Sequence, residues 1–222
     1  IQRAALYEEA RRRIQRLAAL HNIDMAITAS VGLQNILNTL LEQVMLQLDA
    51  DASAVLLFSQ TDGALQYFAR RGFRSLKQSE IREGCRAAQR AARDRQMFAI
   101  RDISLAGKDL FENLPLDEEH FVAYHAVPLL AKGQPQGVLE VFHRRAFEPD
   151  SEWLDFLEML AGQAAIAVDN AVLLDKQQQA HLELIQSYDA TLEGWARALE
   201  LRDLETLEHT RRVTEMVQTL AR

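Results

Sequence analysis

The sequence has one cysteine in 222 residues, Cys85, and only four prolines, all between Pro115 and Pro149. A single Cys excludes an internal disulfide and fits a reducing compartment. Proline removes a backbone donor and clashes with the preceding turn, so the two Pro-free ends can sustain long helices. No apolar run approaches the roughly 18 residues that span a membrane, and no signal peptide is visible. Basic residues are not in excess: 25 Lys and Arg face 32 Asp and Glu, for a net charge of −7. That argues against a nucleic-acid binder, and the short basic "RRRIQR" reads as a solvated helix face. The chain begins at Ile1 without a Met, as a piece of a longer protein would, so a membrane segment upstream stays open. The expected location is cytoplasmic, with no membrane in this piece.

What is present is a compact middle between helical arms. Residues 2–20 carry Leu6, Ala10, Ile14, Leu17 and Leu20 at helical spacing, and a second amphipathic helix is expected from about Gly32 to Leu48. "ASAVLLF" (52–58) reads as a buried strand, "TDG" (61–63) as a hairpin signal and "ALQYFAR" (64–70) as the returning strand. An Ala-rich helix from Gly84, a brief strand at 97–102 and an irregular stretch at 103–118 follow. Two more strands, 121–130 and 136–144, are joined by "AKGQP". From Asp150 the apolar spacing is helical, with Asp150 or Ser151 as the cap. So long a helix must break, most readily at "DKQQQAH" (175–181), or present its apolar seam to another chain.

The pieces "LQNILNTLLEQVMLQLDADASAVLLF", "IRD" (100–102), "AVPLLAKGQPQGVLEVF" (126–142) and "LEMLAGQAAIAVDNAVLL" (157–174) together resemble a GAF domain over about residues 21–175. The resemblance implies an α+β fold: a central antiparallel sheet flanked by helices, with N- and C-terminal helices that pair as a homodimer. It also implies a small ligand over one sheet face, under the middle helix and the irregular loop. Candidate pocket residues are Tyr67, Phe98, Asp102, Phe111, Tyr124 and His125, each with a bland alternative as core or loop cap. The pattern of strand 121–127 does not say whether the His125 face or the Tyr124 face lines the pocket. The family's cyclic-nucleotide signature is missing, and "DEE" (117–119) reads as an acidic helix start. "EGCRAA" around Cys85 lacks the context of a bilin attachment site, and one Cys does not fit a sulfoxide reductase. Cys85 stands near a helix N-terminus, where the dipole can lower a thiol pKa, so it is a redox candidate or a small packed residue.

The tail "ALELRD..T..H..RV", Ala198 to Asp203 with Thr206, His209, Arg212 and Val213, resembles the opening of an HD-GYP domain. Two helices separated by a turn at "RDLET" are expected there. The resemblance implies a cyclic di-GMP phosphodiesterase with iron or manganese, in which Glu205 and His209 ligate metal only in the complete domain. Helical spacing of four sets those two side by side, and imidazole and carboxylate suit such metals. Yet no HD dipeptide occurs and no His follows His209. The expected organisation is a linker helix (1–20), the GAF domain (21–175), and a connecting helix with the truncated start of the output domain (176–222). The expected role is a non-catalytic sensor module for a small-molecule or redox signal, or else a ligand-free dimerisation spacer.

Overall fold

The computed structural model describes residues 32–59, 61–74, 83–112, 114 and 116–220, together with Ala18 and Ile23. The element order is α1 (Leu33–Leu48), β1 (Ala52–Phe58), β2 (Leu65–Arg71), α2 (Arg86–Asp94), β3 (Phe98–Ile100), two single-turn 3₁₀ helices (Ile103–Leu105 and Lys108–Phe111), α3 (Leu116–Glu119), β4 (Ala123–Ala131), β5 (Gln134–His143) and α4 (Ser151–Leu220). Of the expected helix at 2–20, all but Ala18 lies outside the described residues. The chain divides into two units, residues 1–171 and 172–222.

The strands form one antiparallel sheet in the order β2-β1-β5-β4-β3. Turn chemistry fixes its register. Lys132 and Gly133 both have positive φ, the geometry of a two-residue hairpin, and they bring Ala131 opposite Gln134. Gly137 lets β1 and β5 approach, because a Cβ there would stand 2.1 Å from the Leu56 carbonyl oxygen. Pro128 is tolerated in β4 because β3 pairs only with Tyr124 to Ala126, so the proline lies beyond its last partner.

Both faces of the sheet are covered. Residues directly opposite across a ladder share a face. One set is Ala52, Phe142 and Tyr124, with Ala54, Glu140 and Ala126 in the next row. This face lies under α2, the 3₁₀ turns and α3, and its core includes Ala88, Ala91, Phe111 and Phe121. The other set includes Ser53, Val141 and His125, then Val55, Leu139 and Val127. It lies on the side of α1 and the start of α4, whose Leu37, Leu40, Leu41, Val44, Phe156, Leu157 and Leu160 are buried. A bulge at Val55/Leu56 leaves Phe68 without a partner on β2 and puts Tyr67 opposite Leu56, on the α2 face.

The expected "DEE" helix start is α3, and Glu119 in it is fully buried. Two expectations are corrected. The helix does not break at 175–181 and does not turn at "RDLET": helical backbone runs from Ser151 to Leu220. And α4 is, by length and composition, apolar enough to cross a membrane, with an 18-residue window of mean hydropathy 1.4. About 39% of that window is buried within the protein, and a core helix meets the same criterion.

Candidate functional site

Period-two alternation sends Val138, Glu140 and Phe142 to the α2 face. An acid among such neighbours is unusual, since buried Glu is nearly always paired. Glu140 is fully buried, with Ala54 opposite on β1 and Ala126 opposite on β4. The Tyr124 hydroxyl donates to Glu140 Oε1 at 2.7 Å. The Cys85 thiol donates to the same oxygen at 3.5 Å and lies 3.7 Å from the Tyr124 hydroxyl. Glu140 Oε2 and the buried Tyr67 hydroxyl make no hydrogen bond within 3.5 Å, but the hydroxyl lies close enough to interact with the Glu140 carboxyl. Phe111 meets the Tyr124 ring edge-on at 5.1 Å, and Phe142 lies against it at 5.1 Å.

Burial governs the electrostatics. It pushes the Glu140 carboxyl up to about 7, partly offset by the Tyr124, Tyr67 and Cys85 groups around it. Burial and then the Glu140 charge raise the Cys85 thiol. Cys85 is indeed the residue that caps α2, but the expectation of a dipole-lowered thiol is corrected: desolvation outweighs the helix end. Such a thiol is a poor nucleophile at neutral pH. Tyr124 is raised by burial, then by Cys85 and Glu140, and Tyr67 by burial, then by Glu140.

The structure thus brings together Tyr67, Cys85, Phe111 and Tyr124, with half-buried Phe98 packed on the same core. It separates the other two candidates. Asp102 caps a 3₁₀ turn, accepting from the Ser104 backbone N–H at 2.9 Å and its hydroxyl at 2.6 Å. His125 lies on the opposite face, 4.9 Å from the Trp153 ring and 6.2 Å from His143. Phe147 stacks on His143 at 4.1 Å. Trp153 donates from its indole to the Leu48 carbonyl at 3.1 Å, and its backbone N–H binds Asp150, the cap of α4. Burial lowers both histidines, His125 to about 4, so they are neutral at physiological pH.

Sequence reasoning missed Glu140 and one further acid. Glu119 accepts from Arg144 at 2.8 Å and from the Arg74 backbone N–H at 2.7 Å. Arg144 also donates to the carbonyls of Gly72, Asp51 and Glu119, and covers the Phe121 ring at 4.9 Å. The signal for Glu140 was its place in "GVLEVF", an acid inside a strand apolar on both faces. Glu119 and Arg144 are 25 residues apart, and nothing local pairs them.

Two surface clefts lie beside β2. One, of 380 Å³, runs between Gln34 and Asn38 of α1 and the β2 edge from Tyr67 to Phe73. The other, of 490 Å³, lies between the β1–β2 hairpin and the end of α2. No group of three His, Cys, Asp or Glu able to hold a metal occurs among the described residues. His209 is exposed on α4, and the Glu205 side chain lies outside the described residues. Two ligands on one helix do not make a metal centre.

The family model for the GAF domain matches residues 30–169. The chain belongs to the GAF domain family. A GAF domain is a regulatory, non-catalytic domain, and this one has the sheet and flanking helices of its solved relatives. The GAF domain of an Acinetobacter phosphoenolpyruvate-protein phosphotransferase matches at 19% identity and TM-score 0.63, over 72% of this chain and 95% of that one. A domain of a putative two-component sensor histidine kinase from Sinorhizobium meliloti matches at 16% identity and TM-score 0.57, over 68% and 99%. The phycocyanobilin-bound GAF domain of a cyanobacterial phytochrome matches at 16% and 0.56, over 71% and 96%. At these identities the likeness shows the fold. No curated protein matches the chain.

Proposed function

We propose that this GAF domain is the regulatory sensor module of a bacterial-type, cytoplasmic signalling protein, which reads a small molecule on its α2 face. The observation that carries this reading is the buried Glu140–Tyr124–Cys85 cluster, a carboxyl held in an otherwise apolar core. A core built only for packing has no need of an acid there, because burying a carboxyl costs free energy. The raised Cys85 thiol favours a bound molecule over a redox signal. The solved relative that holds phycocyanobilin supports a ligand in this fold.

The output is a downstream HD-GYP cyclic di-GMP phosphodiesterase domain, for which the support is the resemblance around Asp203, Thr206, His209 and Arg212. Its iron or manganese belongs to that complete domain. The chain acts as a homodimer. In the second unit Ile185, Tyr188, Leu192, Trp195 and Leu199 are exposed on helix and alternate three and four apart, the spacing of a coiled-coil seam. Within the first unit, Trp153 ties the first turn of α4 to Leu48 and to the sheet at His125.

The tight packing of Phe111, Tyr124 and Phe142, all fully buried, favours a second reading: a ligand-free dimerisation spacer. Native mass spectrometry of the chain purified from its expression host decides between them. A retained small molecule supports the sensor. A clean apo mass, with no thermal shift across a metabolite panel, supports the spacer. The 222-residue chain alone is expected to show no phosphodiesterase turnover.

A further inference from the structure

α2 has two unlike sides. Its buried side is alanine throughout, Ala87, Ala88, Ala91 and Ala92, which lets the helix lie close on the sheet. Its exposed side carries Arg86, Arg90 and Arg93, spaced four and three apart in one row, and exposed Arg95 follows at its end. Asp94 is the one acid between Arg86 and Arg95, in a chain whose net charge is −7.

Folding does not ask for this row. A cation in the first turn opposes the helix dipole, and Arg86 stands there with no acid in that turn. Arg95 ends the helix at φ 54°, in the left-handed region where glycine is usual. The partners these arginines have are surface groups. Glu112 meets Arg86 at 3.3 Å, Asp94 meets Arg90 at 3.5 Å and Arg93 at 3.2 Å, and the Gln134 amide oxygen meets Arg95 at 3.5 Å. Exposed pairs of this kind contribute little and exchange readily for another carboxylate.

The row leads into the 490 Å³ cleft at the end of α2. Arg93 and Arg95 form its charged side, and Phe58, Leu65 and Pro135 give it apolar surface. Phe58 is among the large apolar side chains left exposed. The one acid on the lining, Asp62 of the β1–β2 hairpin, accepts from the Ala64 backbone N–H at 3.1 Å.

Guanidinium forks in a row, ending at an apolar cleft, specify their occupant. Carboxylates meet such forks in paired hydrogen bonds. An apolar side chain of the same molecule then fills the cleft. A bilayer surface is too broad to enter it. With nine residues, α2 is about 14 Å long, which suits a few peptide carboxylates and is short for the roughly six to ten phosphates of a strong duplex contact.

We propose that the arginine side of α2 and the cleft at its end form a docking surface for an acidic peptide segment of a partner protein. Its carboxylates pair with Arg86, Arg90, Arg93 and Arg95, and an apolar residue of the same segment sits against Phe58 and Pro135. This surface lies apart from the buried Glu140 cluster and does not rest on the ligand reading above.

Fluorescence anisotropy with the whole chain tests it. The probe is a labelled peptide of repeating Glu-Leu-Glu-Asp. Two control peptides replace its acids by Lys or its Leu by Ser, and labelled oligo-dT and phosphatidylserine vesicles supply other polyanions. The acidic peptide is expected to bind at least tenfold tighter than the Lys peptide and severalfold tighter than the Ser peptide. Most of that affinity should be lost as salt rises from about 0.05 to about 0.5 M. Arg86→Glu combined with Arg90→Glu should weaken binding at least tenfold. Arg86→Glu places an acid in the first turn, where the dipole favours it, so the urea midpoint is not expected to fall. Phe58→Ser should weaken binding severalfold and leave its salt dependence in place. Equal binding of the Lys peptide, an unchanged affinity in the double variant, or no binding of any probe overturns the proposal. Tighter binding of oligo-dT or of the vesicles than of the acidic peptide also overturns it, in favour of a nucleic-acid or lipid surface.

Discussion

The two faces of the sheet bury ionisable groups by opposite means. On the α2 face Glu140 stands among hydrogen-bonding side chains. On the α1/α4 face His125 and His143 stand among the rings of Phe147 and Trp153, with both ring nitrogens of His143 and Nδ1 of His125 unbonded. One arrangement offers a charge to a partner. The other suppresses charge and fills volume at the first turn of α4. The contrast separates a face suited to recognition from a face suited to mechanical coupling.

The sharpest way to break this contrast lies at the end of the α2 face, where a second acid is treated differently. Glu119 is fully buried but paired with Arg144. Removing one partner of a buried pair leaves an uncompensated charge, which costs about 3–5 kcal/mol. Arg144→Met is therefore expected to lose about that much in urea denaturation at pH 7. A loss below about 1 kcal/mol would mean that Glu119 is neutral in the folded chain and that the pair stabilises little.

Glu140 gives the next effect, and its sign is the opposite of ordinary acids. Its folded value is about 7 against the usual 4.5. Between those values the folded chain keeps a proton that the unfolded chain has lost. Stability contributed by this group therefore falls as pH rises from 4.5 to 7, by on the order of 1.4 kcal/mol for each pH unit crossed. Glu140→Gln should flatten the urea midpoint across this window, and an unchanged slope would show that the carboxyl is ionised throughout.

How much of this was legible follows from the same residues. Strands β1, β2, β4 and β5 are readable because their alternation and turn residues are local, as at Asp62-Gly63 and Lys132-Gly133. Face assignment is not. His125 and Tyr124 alternate on one strand, and only their partners, Val141 and Phe142, show which lies under α2. The unbroken helix from Ser151 to Leu220 escapes a sequence reading because "DKQQQAH" is polar and looks weak, although it holds no Pro or Gly to stop a helix. The Cys85 thiol escapes it because the dipole is visible from position, whereas burial against Glu140 depends on residues 55 apart.

The α1/α4 face supplies an effect of similar size with the reverse sign. His125 is lowered by burial from 6.5 to about 4, and His143 is lowered too. The unfolded chain takes up protons below 6.5 that the folded chain refuses until about 4. Stability from this face is thus lost as pH falls through that window. His125→Phe should remove part of this acid-side loss while leaving the Glu140 slope between pH 4.5 and 7 in place. If both limbs moved together, the faces would be electrostatically linked and the contrast between them would dissolve.

The smallest effect on folding comes from residues on neither face. Trp195 and Leu192 are exposed on the helix of the second unit. Surface changes away from packed features usually alter stability by about 0.5 kcal/mol or less. Trp195→Glu should therefore leave the urea midpoint of the GAF core unchanged. In a coiled-coil seam the same substitution sets like charges against each other, so sedimentation should shift from dimer toward monomer. A dimer that survives Trp195→Glu and Leu192→Glu together would remove this seam as the contact, and with it the route proposed for passing a signal out of the sheet. A monomer with an intact core would separate recognition from relay: the α2 face could then be titrated without the helix it is proposed to control.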